Sequence, residues 1–123
     1  MQHLTALERT ILVAAAADIQ RLSQGESSYT RDGWRQRVAR EEALQGIVKL
    51  DAPRWLNCET ASDPSLRMQL SRSYLSLQQR GLAVRVVGGY RGTRATHLRI
   101  TPEGMALAAE LSKATTEATT DAP

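Results

Sequence analysis

The stretch DPSLRMQLSRSYLSLQQRGLAVRVVGGYRGTRATHLRITPEG, residues 63–104, decides the fold. It opens on Asp63 and Pro64, an N-cap acid followed by a proline whose fixed φ suits the first helical position. Leu66, Leu70, Tyr74 and Leu77 then recur at three- and four-residue intervals, which predicts one buried helical face running to Arg80. Arg67, Ser71 and Arg72 project from other faces. Gly81 suits the left-handed position that closes a helix, and Leu82 then pairs with Leu77 as in a Schellman ending. After Gly81 the period falls to two. Leu82, Val84 and Val86 alternate with Ala83, Arg85 and Val87, and Leu98 and Ile100 alternate with His97, Arg99 and Thr101. The glycine-rich residues 88–95 between them form a hairpin tip longer than a minimal turn. Thr101, Pro102 and Glu103 start a last helix, with the acid at the favourable end of its dipole.

Charge is segregated along the chain. Between Pro64 and Pro102 there are seven arginines and no Asp or Glu. The remaining residues hold nine Lys or Arg and all thirteen acids, a net charge of −4 beneath an overall +3. The alternation predicts that Arg85, Arg99 and His97 share the outward face of the hairpin, with Arg91 and Arg94 at its tip. Like charges across a ladder are mildly destabilising, so an unneutralised set is expected to face either solvent or an anion. A cationic face on an acidic body fits a polyanion, nucleic acid first.

Outward from this stretch, the flanks read as helices. Thr5 and Glu8 have capping-box spacing, Thr5 accepting from the Glu8 amide and Glu8 reaching back. Leu4, Leu7, Ile11, Ala14, Ala15, Ile19 and Leu22 line one face, while Leu12, Val13, Ala16 and Ala17 lie off it. Such a helix is either buried between elements or meets a second subunit. Gly25 stops it. Asp32 is expected to cap a helix from Trp34 to Leu44, and Pro53 to open a short one; Trp34 and Trp55 read as core fillers. Met105, Leu107, Ala108, Ala109 and Leu111 spread around the last helix too widely for one face. From Lys113 no large apolar residue follows, so residues 1–112 are expected to form one domain and residues 113–123 a disordered tail.

With 123 residues, 41% of them hydrophobic but only five aromatics, the chain is expected to hold a modest aliphatic core. Cys58 stands alone, which excludes an internal disulfide and favours a reducing, cytoplasmic setting. One Cys and two His argue against a zinc site, and no cofactor is expected. The apolar run Ile11 to Ala17 is too short to span a bilayer. Enzymatic chemistry is not expected. Cys58 and His97 lack an activating motif, and the glycines of residues 88–92 lie between strands rather than opening a phosphate-binding helix.

The order helix, Gly-Leu, strand, basic loop, strand, Thr-Pro-Glu-Gly, helix resembles the winged helix-turn-helix domains of bacterial transcription regulators, particularly the MarR-like group. LSRSYLSLQQRGL (residues 70–82), RGTR (91–94) and LRITPEG (98–104) carry the resemblance, over about forty residues. It implies a mainly α fold with a small β-hairpin, α+β overall, that binds double-stranded DNA sequence-specifically to regulate transcription. Ser71 and Arg72 match recognition-helix positions facing the major groove, and Arg91 and Arg94 match the basic wing tip. Leu77, Gly81 and Leu82 match structural positions. The first helix of the helix-turn-helix pair then comes from Pro53 to Glu59. Arg67 and Gln69 join the set because base edges are met by the N-terminal half of such a helix, where Arg can bond guanine and Gln adenine. Tyr90, Thr93, Arg85, His97 and Arg99 of the hairpin complete the candidate DNA-binding residues.

One short helix and one wing seldom supply enough interface for tight specific binding. The surplus apolar surface on the first and last helices is therefore expected to pair two protomers, setting two recognition helices about one DNA turn apart. Such a homodimer leaves room for a small-molecule effector, which the sequence does not identify. A protein–protein or RNA-binding adaptor is the alternative, since fold alone does not set function.

Overall fold

The computed structural model describes residues 4–24, 33–57, 63–87 and 95–120. Helix α1 (Ala6–Ser23) comes first, and the other elements gather round it. Thr5 caps it as expected, its hydroxyl accepting from the Glu8 amide at 3.1 Å. Ile11, Leu12 and Ala15 have no exposure at all, and Ala16, Ile19 and Leu22 are buried. Leu12 and Ala16 lie off the main apolar stripe, so the second face of α1 is largely consumed inside its own chain.

Helix α2 (Gly33–Leu44) leads through Gly46, whose φ of +80° is open mainly to glycine, into strand β1 (Ile47–Lys49). Its expected cap, Asp32, lies outside the described residues. A three-residue strand is too short to show alternation, and nothing in the sequence marked it. Helix α3 (Ala52–Leu56) is the short helix expected around Pro53, and Asn57 ends it in the left-handed region. Helix α4 (Pro64–Gln79) begins where Asp63 accepts from the Leu66 amide at 3.1 Å. It ends as read: Gly81 has φ +72°, and its amide donates to Gln78 while that of Leu82 donates to Leu77. These are the two bonds of a Schellman ending.

Strands β2 (Ala83–Val86) and β3 (His97–Ile100) form the expected hairpin, and β1 joins the free edge of β3 to give an antiparallel sheet ordered β1-β3-β2. Helix α5 (Pro102–Thr120) follows at once. Its cap, Thr101, accepts from the Gly104 amide and donates to the Gly81 carbonyl at 2.7 Å, joining the start of α5 to the end of α4. Gly104 permits that approach, because a β-carbon there would sit 2.1 Å from the Leu82 carbonyl oxygen. The backbone of α5 stays helical past Lys113, where composition alone ends the packed domain.

The result is a mainly helical α+β arrangement with one small sheet. Core residues from α1, α4, the sheet and α5, among them Leu77, Leu98 and Ala108, pack as one cluster. Among the described residues no helix is long and apolar enough to cross a membrane.

Candidate nucleic-acid interface

The ladder register corrects the expected hairpin face. Arg85 pairs with Leu98, and Arg99 pairs with Val84 on one side and Ile47 on the other. Directly opposed residues in an antiparallel pair project to the same side, and successive residues to opposite sides. Arg85 therefore shares the face of buried Leu98 and Ala83, where α4 packs. Arg99 and His97 lie on the reverse. The three cannot form one patch. Alternation alone identifies two faces without saying which is covered, and here Leu98, Val48 and Ile100 turn one of them inward.

His97 is also not free. Its Nε2 lies 3.2 Å from a Glu42 carboxylate oxygen of α2, and its Nδ1 is 2.8 Å from the Thr96 hydroxyl. It joins a strand to a helix rather than facing a ligand. Arg80 likewise reaches back to α1, its Nε 3.9 Å from a Glu8 carboxylate oxygen. Tyr90, Arg91, Thr93 and Arg94 lie outside the described residues, as does Cys58.

What remains together is carried by α4 and β2. Arg67, Ser71 and Arg72 are exposed, as is Arg85, and none of these arginines makes an ion pair with a described residue. Tyr74 links the two elements. Burial raises its hydroxyl pKa above the usual value, and the neighbouring Arg85 charge opposes that rise. Arg67, Ser71 and Tyr74 follow one another at helical spacing, so Arg67 and Ser71 lie on the flank of α4 nearer Arg85. Gln69 is exposed on the other flank, with Ser76 seven residues on. Gln69 and Arg85 thus bracket α4 from opposite sides. No acid occurs in α4 beyond its cap, so this face carries positive charge only.

Residues that sequence reasoning passed over hold the platform in place. Asp18 on α1 is buried, its side chain only 4% exposed. It accepts from Arg21 of its own helix and from two residues of α3, the guanidinium of Arg54 and the indole Nε1 of Trp55, the last at 2.8 Å. Burial alone raises such a carboxyl's pKa, but the donors Arg54, Trp55 and Arg21 outweigh it and leave Asp18 below its ordinary value. Arg54 is held protonated more firmly than usual, chiefly by its bond to Asp18 and secondarily by Asp51, which its Nε reaches at 2.8 Å. Glu8 does the corresponding work for α4. Its carboxylate accepts from the Ser76 hydroxyl at 3.3 Å. The same helix thus anchors both α3 and α4. The signal was present in the sequence: Asp18 lies three residues from Ala15, seven from Ile11 and four from Leu22, on the buried stripe itself. A carboxylate there requires partners.

Comparison with family models, curated proteins and solved structures finds no match. Among the described residues no cluster of three His, Cys, Asp or Glu side chains is placed to hold a metal ion.

A second surface lies between α1 and α5, an open groove of about 460 Å³. Val13, Ala17, Met105 and Ala109 line it with apolar side chains, and Gln20 and Lys113 add polar groups.

Proposed function

We propose that this chain is a winged helix-turn-helix protein that binds double-stranded DNA sequence-specifically and regulates transcription, with α3 and α4 as the helix pair and the β2–β3 hairpin as the wing. One observation carries the reading. The exposed face of a firmly capped helix bears Arg67, Ser71 and Arg72 without an acid, and Arg85 extends it from the adjoining strand. Support also comes from the element order, helix, strand, helix, helix, hairpin, with the first strand added beyond the last. Under this proposal α4 enters the major groove, its N-terminal half nearest the base edges. Arg72 meets guanine, and Arg67 and Arg85 meet phosphates. Arg91 and Arg94 act at the wing tip.

The groove between α1 and α5 supports pairing of two protomers, since Val13, Ala17, Met105 and Ala109 offer apolar surface there. Most of α1 is already covered within the chain, so in this proposal α5 supplies the larger share of the contact.

Mobility-shift titration against duplex DNA and duplex RNA at two salt concentrations tests the function. DNA binding is expected, weakened as salt rises, and Arg72→Ala is expected to relax base preference. Equal or better binding to RNA, or no binding to either duplex, refutes the proposal.

A further inference from the structure

The exposed ridge of α4 is not purely polar. Met68, Arg72, Leu75 and Gln79 follow at four- and three-residue intervals down its outermost face, directly away from buried Leu70 and Leu77. A cationic helix gains nothing in water from a methionine at its crest. Two such side chains are also far too little apolar surface for a stable protein contact, which buries about 800 Å² per partner. The arginines at and beside them make no ion pair with a described residue, a pattern complementary to phosphate rather than to an apolar partner.

In the major groove only one base edge offers an apolar target, the 5-methyl group of thymine. We infer that Met68 reads that methyl group, beside a guanine read by Arg72. This rests on the function proposed above. Met68 lies in the N-terminal half of α4, the part that meets base edges. Arg72 is one turn further on, about 6 Å along the axis, or about two base-pair steps. Methionine suits the task, because its unbranched, flexible thioether can follow a small apolar group. Leu75 lies about two turns beyond Met68, further from the helix N-terminus than Arg72, and takes no part.

The test uses the full chain and its preferred duplex, selected from a random pool. Each thymine in turn is replaced by deoxyuridine, which differs only in lacking the methyl group, and affinity is measured by anisotropy for wild type, Met68→Ala and Leu75→Ala. Matching thermal melts establish that both exposed-site variants fold. One thymine within about two base pairs of the guanine sensed by Arg72 is expected to cost wild type about four-fold on replacement. Met68→Ala is expected to show no such loss at that position, and Leu75→Ala the full loss. Wild type indifferent to every replacement, or a loss that survives in Met68→Ala, overturns the inference while DNA binding stands. A selected site without thymine there does the same. If both variants change self-association and not duplex affinity, the ridge is a protein contact and the inference fails. Absence of any duplex binding removes the underlying function as well.

Discussion

Replacing Asp18 by Ala is expected to destabilise the protein far more than loss of one acid from a helix surface. The carboxylate is almost wholly withdrawn from water and receives donors from Arg21, Arg54 and Trp55. Removing one partner of a buried ion pair costs about 3–5 kcal/mol. Both guanidinium groups are more than 40% exposed and regain water, so the lower end applies. The Trp55 N–H is not so placed, for Trp55 is buried; an unpaired buried donor costs about 1–3 kcal/mol by itself. Together these give a loss of at least about 4 kcal/mol, or a fall in Tm of about 15 °C for a domain of this size. Urea and thermal unfolding followed by circular dichroism measure it. The pH dependence supplies a second reading. The pKa of Asp18 is lowered in the folded state, so the unfolded chain binds the proton more readily. The advantage of wild type over Asp18→Ala should be complete above about pH 4, the ordinary carboxyl range, and shrink as pH falls below it. A loss under about 1 kcal/mol at neutral pH, or a difference that does not shrink in acid, refutes the reasoning.

Gly104→Ala is expected to cost about 1–3 kcal/mol in urea unfolding, because its β-carbon would overlap the Leu82 carbonyl and force α5 away from the end of α4. Arg85→Ala is expected to weaken binding to all duplexes alike and to reduce the log–log salt slope by about 0.9, whereas His97→Gln, at a residue already paired with Glu42, should leave the slope unchanged. With Arg67 and Arg85 on phosphates, the protomer slope should be no shallower than about −1.8, which titration from low to moderate salt will show. Light scattering at high concentration should find a dimer that Ala109→Glu converts to monomer; a wild-type monomer throughout would exclude pairing through the α1–α5 groove.

What could be read in advance was local. Asp63, the Gly81-Leu82 pair and Thr101 each make their capping bonds within a few residues of themselves, so those caps are legible without knowing the rest of the fold, although the bond from Thr101 to the Gly81 carbonyl is not. Errors arose where the outcome depended on distant partners. Strand β1 exists because Ile47 to Lys49 pair with Arg99 to His97, half the chain away. The separation of Arg85 from Arg99 follows from which side of β3 meets the core. Capping-box spacing at Thr5 and Glu8 was right for the hydroxyl, but the Glu8 carboxylate found α4. Asp18 was passed over because an acid in an alanine-rich helix is usually solvated, though its place on the apolar stripe argued otherwise. At the candidate interface, Arg67, Ser71 and Arg72 were legible as outward positions of α4, while Met68 escaped notice because an isolated methionine carries no pattern.

Glu8 and Asp18 stand ten residues apart on one continuous helix, about 15 Å along its axis. They act as the jaws of a calliper, one closed on α4 and the other on α3. The spacing between the jaws is a matter of counting rather than of side-chain chemistry. Adding a single residue between them would swing one carboxylate about 100° around the axis, leaving every individual side chain unaltered yet the grip on one helix lost.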